Sequence, residues 1–312
     1  MNAINLYHNA ILDMCRELPA VTTAVVHPVQ SNVLQATEEA ADAGLIRPLL
    51  VGPKAKIEAA AETARLDISG WGLIDAEHSH EAAEKAVEMA ASGRVEAVMK
   101  GSLHSDELLS AVIHPVSGLR TERRISHAYL MGIASYPKPF IITDAAVNIF
   151  PDLAAKTDIV QNSIGLWQVI FGHTVAPKVA ILAAVETINA KMTATLDAAA
   201  LCKMADRGQI TGGLLDGPLA FDNAISAAAA ADKGIISPVA GDADILLVPD
   251  IEAGNMLAKQ LTFLGGAEAA GIVLGARVPI ILTSRADSLS TRLLSCALAV
   301  LLAAARREGR IR

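Results

Sequence analysis

The chain has 312 residues, a formal net charge of −7, and 52% hydrophobic residues with only 3% aromatic. That length holds two ordinary domains or one large one, and the acidic balance argues against a general binder of nucleic acid or of anionic membranes. An aliphatic, alanine-rich composition of this kind suits the packed layers of an α/β protein.

The opening stretch MNAINLYHNAILDMCRELPA carries acidic residues and no basic segment leading to a cleavage site, so a cytoplasmic location is expected. Cys15, Cys202 and Cys296 are odd in number and far apart, which fits reduced thiols better than a disulfide framework or a zinc site. Strand-like apolar runs then alternate with helical patterns. In chain order the runs are TTAVV, RPLLV, GLI, EAVMK, HAYLMGIAS, FIITD, KVAILAA, GGLLD, DILLVP, AGIVLG and VPIILTS, with helices expected over 30–43, 81–91, 153–171, 191–205 and 252–264. This alternation marks βαβ units and largely parallel sheets, and the runs are too many for one Rossmann unit. The break after TDAAVN, with its FPD turn, reads as the crossing into a second domain. The late run LLSCALAVLLAAARR falls short of the roughly 20 residues of a membrane span and reads as a buried helix.

Many of the strands end in short polar tips: HPVQSN, KGSLHSDE, TDAAVN, AVETIN, DGPLAFDN, PDIEAGN and TSRADS. Ligands of open parallel sheets bind at such carboxyl ends, and the repetition of tips points to a cleft between two sheets. In KGSLHSDE, Lys100, Gly101 and Ser102 form a candidate anion pocket: a cation at a buried strand's end, with a glycine permitting close approach. Ser105 is placed to cap the following helix, with Asp106 and Glu107 in its first turn. The order of a Walker A loop is absent, and no GxGxxG follows the first strand. SGLRTERRISH gathers Arg120, Arg123, Arg124 and His127, either as a solvated loop or as a grip on a phosphate-bearing ligand. EHSH, at 77–80, is a weak metal signal on its own, and no metal site is expected. In LTSRADSLS, at 282–290, an arginine falls where a helix begins and faces the positive end of its dipole, which points to an anion bound between Arg285 and the backbone N–H groups.

Taken together, MKGSLHSDELLSAVI, GLRTERRISH, ITDAAVNIFPDL, DGPLAFDNA, PDIEAGN and TSRAD resemble the phosphate acetyl/butyryltransferase family, with the nearest likeness to its butyryltransferase branch. The resemblance implies two three-layer α/β/α domains with largely parallel sheets, as in isocitrate-type dehydrogenases, with the active cleft between them. The expected boundaries are 1–143 with 285–312 for the first domain and 144–284 for the second. The implied reaction converts acyl-CoA and phosphate to acyl phosphate and CoA by direct attack in a ternary complex. It needs no permanently bound cofactor, and coenzyme A is substrate or product. Residues matching the family's strand-end pair are Ser284 and Arg285, with Asp287 the candidate base. Two family positions differ: Thr291 replaces an aspartate of the acetyl branch, and Leu109 an arginine. The expected substrate-binding set is Lys100, Gly101, Ser102, Arg120, Arg123, Arg124, His127, Asp144, Asn148, Glu252 and Asn255. A homodimer or higher homo-oligomer is implied, functionally coupled to an acyl kinase. Two other readings are open, a metal- and NAD-dependent dehydrogenase using Asp216, Asp222 and Asp250, and a non-catalytic acyl-CoA-binding protein. Acyl chain length, acetyl or butyryl, is open at this point.

Overall fold

The structure, a computed structural model, describes residues 3–282 and 288–311, with side chains from Tyr7 onward. Its strands are β1 (Val21–Val26), β2 (Ile46–Gly52), β3 (Gly72–Asp75), β4 (Ala97–Lys100), β5 (Ser126–Gly132), β6 (Phe140–Thr143), β7 (Lys178–Leu182), β8 (Leu214–Leu219), β9 (Ile245–Leu247), β10 (Glu268–Leu274) and β11 (Ile280–Ile281). Each falls on one of the apolar runs read from the sequence. Two compact units result: a first of His8–Ile125 with Ala270–Arg312, and a second of Met1–Tyr7 with Ser126–Ala269. These crossings precede the expected 143/144 and 284/285. The physical reason at the first crossing is that β5 and β6 pair antiparallel, Ala128 opposite Thr143 and Met131 opposite Phe140, so the two strands stay in one unit.

The first unit orders its strands β3-β2-β1-β4-β11-β10. All pairs are parallel except β10 with β11. β1 is buried at every position but one, as the continuous aliphatic character of a strand covered on both faces requires. The helix Leu289–Arg307 is long and apolar enough to cross a membrane, but 72% of its most apolar window is buried inside the protein. It is therefore a core helix, with Leu294 through Ala305 buried without a break. Ser295 ties it to the sheet: its hydroxyl accepts from the Gly271 N–H at 3.0 Å and donates to the Thr291 carbonyl at 2.8 Å. At its end, Arg307 meets Glu96 in a two-pronged pair, both N···O distances 2.6 Å. That guanidinium holds the Glu96 carboxyl below its ordinary range.

The second unit orders its strands β5-β6-β9-β7-β8, parallel except for β5 with β6. Its core packs Met131, Ile142, Ala180 and Leu246 together. The helix Leu153–Phe171 begins at Asp152, whose carboxylate accepts from the Ala155 N–H at 2.8 Å. One turn on, Lys156 is almost wholly buried and its ammonium lies 2.7 Å from the Asp197 carboxylate, with side-chain exposures of 5% and 14%. A buried ion pair tolerates joint replacement far better than loss of one partner. Lys156→Met alone should therefore lower unfolding free energy by about 3 kcal/mol. Lys156→Met with Asp197→Leu should recover most of it, as measured by urea titration; equal losses in the two variants would contradict this account.

Candidate active site

Each unit has its own strand-end cluster. In the first, β1 and β4 end side by side, with Val26 in register with Lys100. The chain then turns at His27, which adopts a left-handed φ of 54°. Its N–H donates to the Val51 carbonyl at 2.6 Å, and its carbonyl accepts from Val29 at 2.9 Å and Ser102 at 3.0 Å. The Gly101 N–H donates to the Val26 carbonyl at 2.9 Å. A Cβ on Gly101 would stand 2.2 Å from that carbonyl oxygen and 3.0 Å from the His27 carbonyl carbon. The sequence reading gives Gly101 to the approach of an anion. The structure shows the approach of a neighbouring strand.

Lys100 is 7% exposed, and the Ser102 hydroxyl is buried with no hydrogen-bond partner. Burial lowers the His27 pKa, a backbone hydrogen bond with Ser102 opposes that, the Lys56 charge adds to it, and Glu107 draws it back up. The following helix, Ser105–Ile113, is capped by His104 rather than by the expected Ser105, and the Glu107 carboxylate accepts from the His104 N–H at 3.4 Å. Both histidines of EHSH serve helices: His78 Nδ1 accepts from the Glu81 N–H at 3.1 Å, and His80 stands 3.7 Å from Glu107. A cavity of about 490 Å³ lies beside these helices, lined by His80, Val87, Glu107 and His114, and not by Lys100, Gly101 or Ser102.

Arg120, Arg123 and Arg124 are exposed on the loop after helix Ser105–Ile113. The loop is fixed in place from the β10–β11 turn. Arg120 bridges to Ala276, the Thr121 hydroxyl donates to the Gly275 carbonyl at 2.7 Å, and the Arg277 N–H donates to Leu119 at 2.8 Å. From below, Arg306 donates to the Ala276 carbonyl, and burial pushes that guanidinium down to about 10. Exposed guanidinium groups on an anchored loop suit phosphate binding.

In the second unit, Asp144 follows β6 and is 2% exposed. One oxygen accepts from the N–H groups of Ala146 at 2.9 Å and Val147 at 3.0 Å. The other accepts from the Asn148 N–H at 3.2 Å and side-chain amide at 2.6 Å. Burial raises the carboxyl, and these donors oppose it. Asn255 joins the cluster through its amide, which donates to the Ala145 carbonyl at 3.1 Å. Gly254 lets the helix come close, since a Cβ there would stand 3.0 Å from the Asp144 carbonyl oxygen. Glu252 is exposed in the first turn of that helix, Ile251–Phe263. His127 is fully buried on β5, its ring 4.3 Å from that of Tyr129, with neither ring nitrogen hydrogen-bonded.

The structure thus brings Lys100, Gly101 and Ser102 together, and likewise Asp144, Asn148 and Asn255. Ser284, Arg285 and Asp287 lie outside the described residues. Thr291 is half-buried in the first turn after the cap Ser288, its N–H 3.1 Å from the Ser288 hydroxyl, and Leu109 is half-buried on its helix. Asp216 accepts from the Gly217 N–H at 2.9 Å and Asp250 caps its helix through the Ala253 N–H at 2.8 Å. No group of three His, Cys, Asp or Glu side chains gathers to hold a metal among the described residues. Two features escape the sequence reading. Glu186 pairs with Lys233 at 2.9 Å and accepts from Asn223 at 3.4 Å, joining the AVETIN and DGPLAFDN tips. His27 is the other, and its sequence signal is a histidine wedged between a buried strand and Pro28.

Residues 76–300 match the family model described as Phosphate acetyl/butaryl transferase. The chain is 58% identical over 306 residues to a phosphate acetyltransferase of Rhizobium meliloti, covering 98% of this chain and 96% of that relative. It is 38% identical over 297 residues to a phosphate butyryltransferase of Clostridium beijerinckii, covering 94% and 97%. Among solved structures, a branched-chain phosphotransacylase from Enterococcus faecalis V583 superposes with a TM-score of 0.78 at 28% identity, over 91% of this chain and 99% of that one.

Burial pushes the His127 imidazole down to about 3, whereas the unfolded chain takes up a proton near pH 6.5. Its contribution to stability is therefore complete above pH 6.5 and is lost as pH falls toward 3. The slope is about 1.4 kcal/mol per pH unit between those limits. His127→Phe should reduce the slope of unfolding free energy against pH by about that amount, and an unchanged slope would refute the assignment. Gly101→Ala, forced against the Val26 carbonyl, should cost about 2 to 3 kcal/mol in the same titration at neutral pH.

Proposed function

This chain belongs to the phosphate acetyl/butyryl transferase family, and on that premise we propose that it converts a short-chain acyl-CoA and phosphate to acyl phosphate and CoA. The observation that carries the reading is 58% identity to a phosphate acetyltransferase along nearly the whole of both chains. In the forward direction a phosphate oxygen attacks the thioester carbonyl, negative charge gathers on the carbonyl oxygen, the C–S bond breaks, and CoA leaves as its thiolate, which takes up a proton. Arg285 binds the phosphate and the developing charge, an interaction worth about 3 kcal/mol when preorganised in a dry site. Ser284 donates a hydrogen bond to the sulfur or the oxyanion. In the reverse direction Asp287 takes the thiol proton, which requires a closed site that raises a carboxylate toward the thiol's range. The resemblance of TSRAD to the family's strand-end motif supports the roles of Ser284 and Arg285, and Asp287 is the nearest carboxylate to that pair, Thr291 standing where the acetyl branch has an aspartate.

Lys100 supplies a cation at the β4 end, and Arg120, Arg123 and Arg124 grip the phosphates of CoA. Acetyl is the preferred acyl group. The higher identity to the acetyltransferase than to the butyryltransferase, 58% against 38%, supports that choice. The same reading makes the protein a cytoplasmic homo-oligomer whose acyl phosphate is consumed by an acyl kinase.

The test is CoA release from acetyl-, propionyl-, butyryl- and isobutyryl-CoA, followed with a thiol reagent with and without phosphate. Release should require phosphate and be fastest with acetyl-CoA. Arg285→Ala and Asp287→Asn should each lower turnover by about 10²-fold or more. Binding of CoA with no release from any acyl-CoA would make the protein a binder rather than a transferase.

A further inference from the structure

The backbone of the β1 tip would be better served by glycine than by histidine. A left-handed φ of 54° disfavours any residue with a Cβ, and asparagine and glycine tolerate it best. Three backbone hydrogen bonds hold His27 in that conformation, to Val51, Val29 and Ser102, and none of them uses the side chain. Gly52 and Gly101 crowd against it, their Cβ positions 3.2 Å from its Cα and 3.0 Å from its carbonyl carbon. What histidine adds at this position is the ring. Its Nδ1 is buried without a hydrogen-bond partner of normal geometry, and so is the Ser102 hydroxyl two residues beyond Lys100. A buried polar atom without a well-formed hydrogen bond is disfavoured, and two such atoms, His27 Nδ1 and Ser102 Oγ, stand at one strand end.

We propose that His27 and Ser102, beside Lys100, form a subsite for the oxygens of the attacking phosphate, with a ring N–H and a hydroxyl as donors. The inference rests on the reaction proposed above and assigns a residue to its phosphate. The charged groups acting on the ring are Lys56 from helix Lys54–Ala64 and Glu107 from helix Ser105–Ile113, and Lys100 ends β4 in register with Val26, the residue before His27. Burial, the largest cause, lowers the imidazole from its ordinary value and so favours the neutral ring, which donates from one nitrogen, while Lys100 supplies the charge. Held backbone strain at a strand end beside unpaired donors is the pattern of a binding group fixed in place by its surroundings.

The experiment uses inorganic phosphate on the free protein, by calorimetric titration, with His27→Gly, His27→Asn and Ser102→Ala. His27→Gly removes the ring and relieves the left-handed backbone, so its unfolding temperature without phosphate should match or exceed that of the wild type. Its phosphate dissociation constant should nevertheless rise at least fivefold, with a matching rise in KM for phosphate and KM for acetyl-CoA within twofold. His27→Asn, which tolerates the backbone and keeps an N–H donor, should recover part of the affinity. A rise of less than fivefold in both His27→Gly and Ser102→Ala, or a rise confined to KM for acetyl-CoA, overturns the subsite. Because phosphate binding is read without turnover, it stands apart from the reaction. A wild type that binds phosphate but releases no CoA overturns the proposed reaction, while the affinities of the variants decide the subsite.

Discussion

The contact between Gly101 and the Val26 carbonyl fixes the first unit's strand ends, because it lets β1 and β4 finish at the same level with no side chain between them. A parallel sheet covered on both faces leaves polar groups few places to go except the strand ends. Where the ends lie flush, the groups they carry are neighbours. Lys100, Ser102 and His27 come together for that reason, although His27 is more than seventy positions from the others in sequence.

The second unit solves the same problem with a side chain. Asp144 gathers the N–H groups of the turn after β6, and Asn148 completes the set, so the carboxylate shapes its own tip. Asp152, Asp250 and His78 act in the same way at helix starts. Polar residues at strand ends therefore divide into those that hold the backbone and those that face outward. Burial and donor count separate the two classes. Asp144 belongs to the first, and Glu252 and the arginines of the exposed loop to the second.

Much of this was legible in the residues. Every strand overlaps an apolar run, and in strands such as β1 and β4 burial on both faces leaves a continuous signal, whereas β3 and β8, each at an end of its unit's strand order, are partly exposed. The family could be read from DGPLAFDNA, PDIEAGN and TSRAD because those segments combine turn residues and charges in an order that a packing pattern alone does not produce. The unit boundaries were less visible. Antiparallel pairing of β5 with β6 is a matter of register across a turn, whereas the FPD turn after TDAAVN is a visible break in the sequence and reads as the crossing. His27 was missed because a single histidine before proline has the look of a strand terminator. Only the fold shows that its backbone is left-handed and that its Nδ1 is buried without a hydrogen-bond partner of normal geometry.

The first unit is assembled from two distant parts of the chain, and this has a consequence for how the protein is made. Val98 of β4 pairs with Ile280 of β11, 182 positions further along the chain. The centre of that sheet therefore stays incomplete during synthesis until nearly the whole chain has emerged. The second unit is continuous but for its first few residues, and can form earlier. Until β11 and helix Leu289–Arg307 arrive, β4 presents an unpaired, wholly buried-type edge. Truncation near the C-terminus would thus strike the N-terminal half of the sheet, leaving the intervening unit the more able to fold.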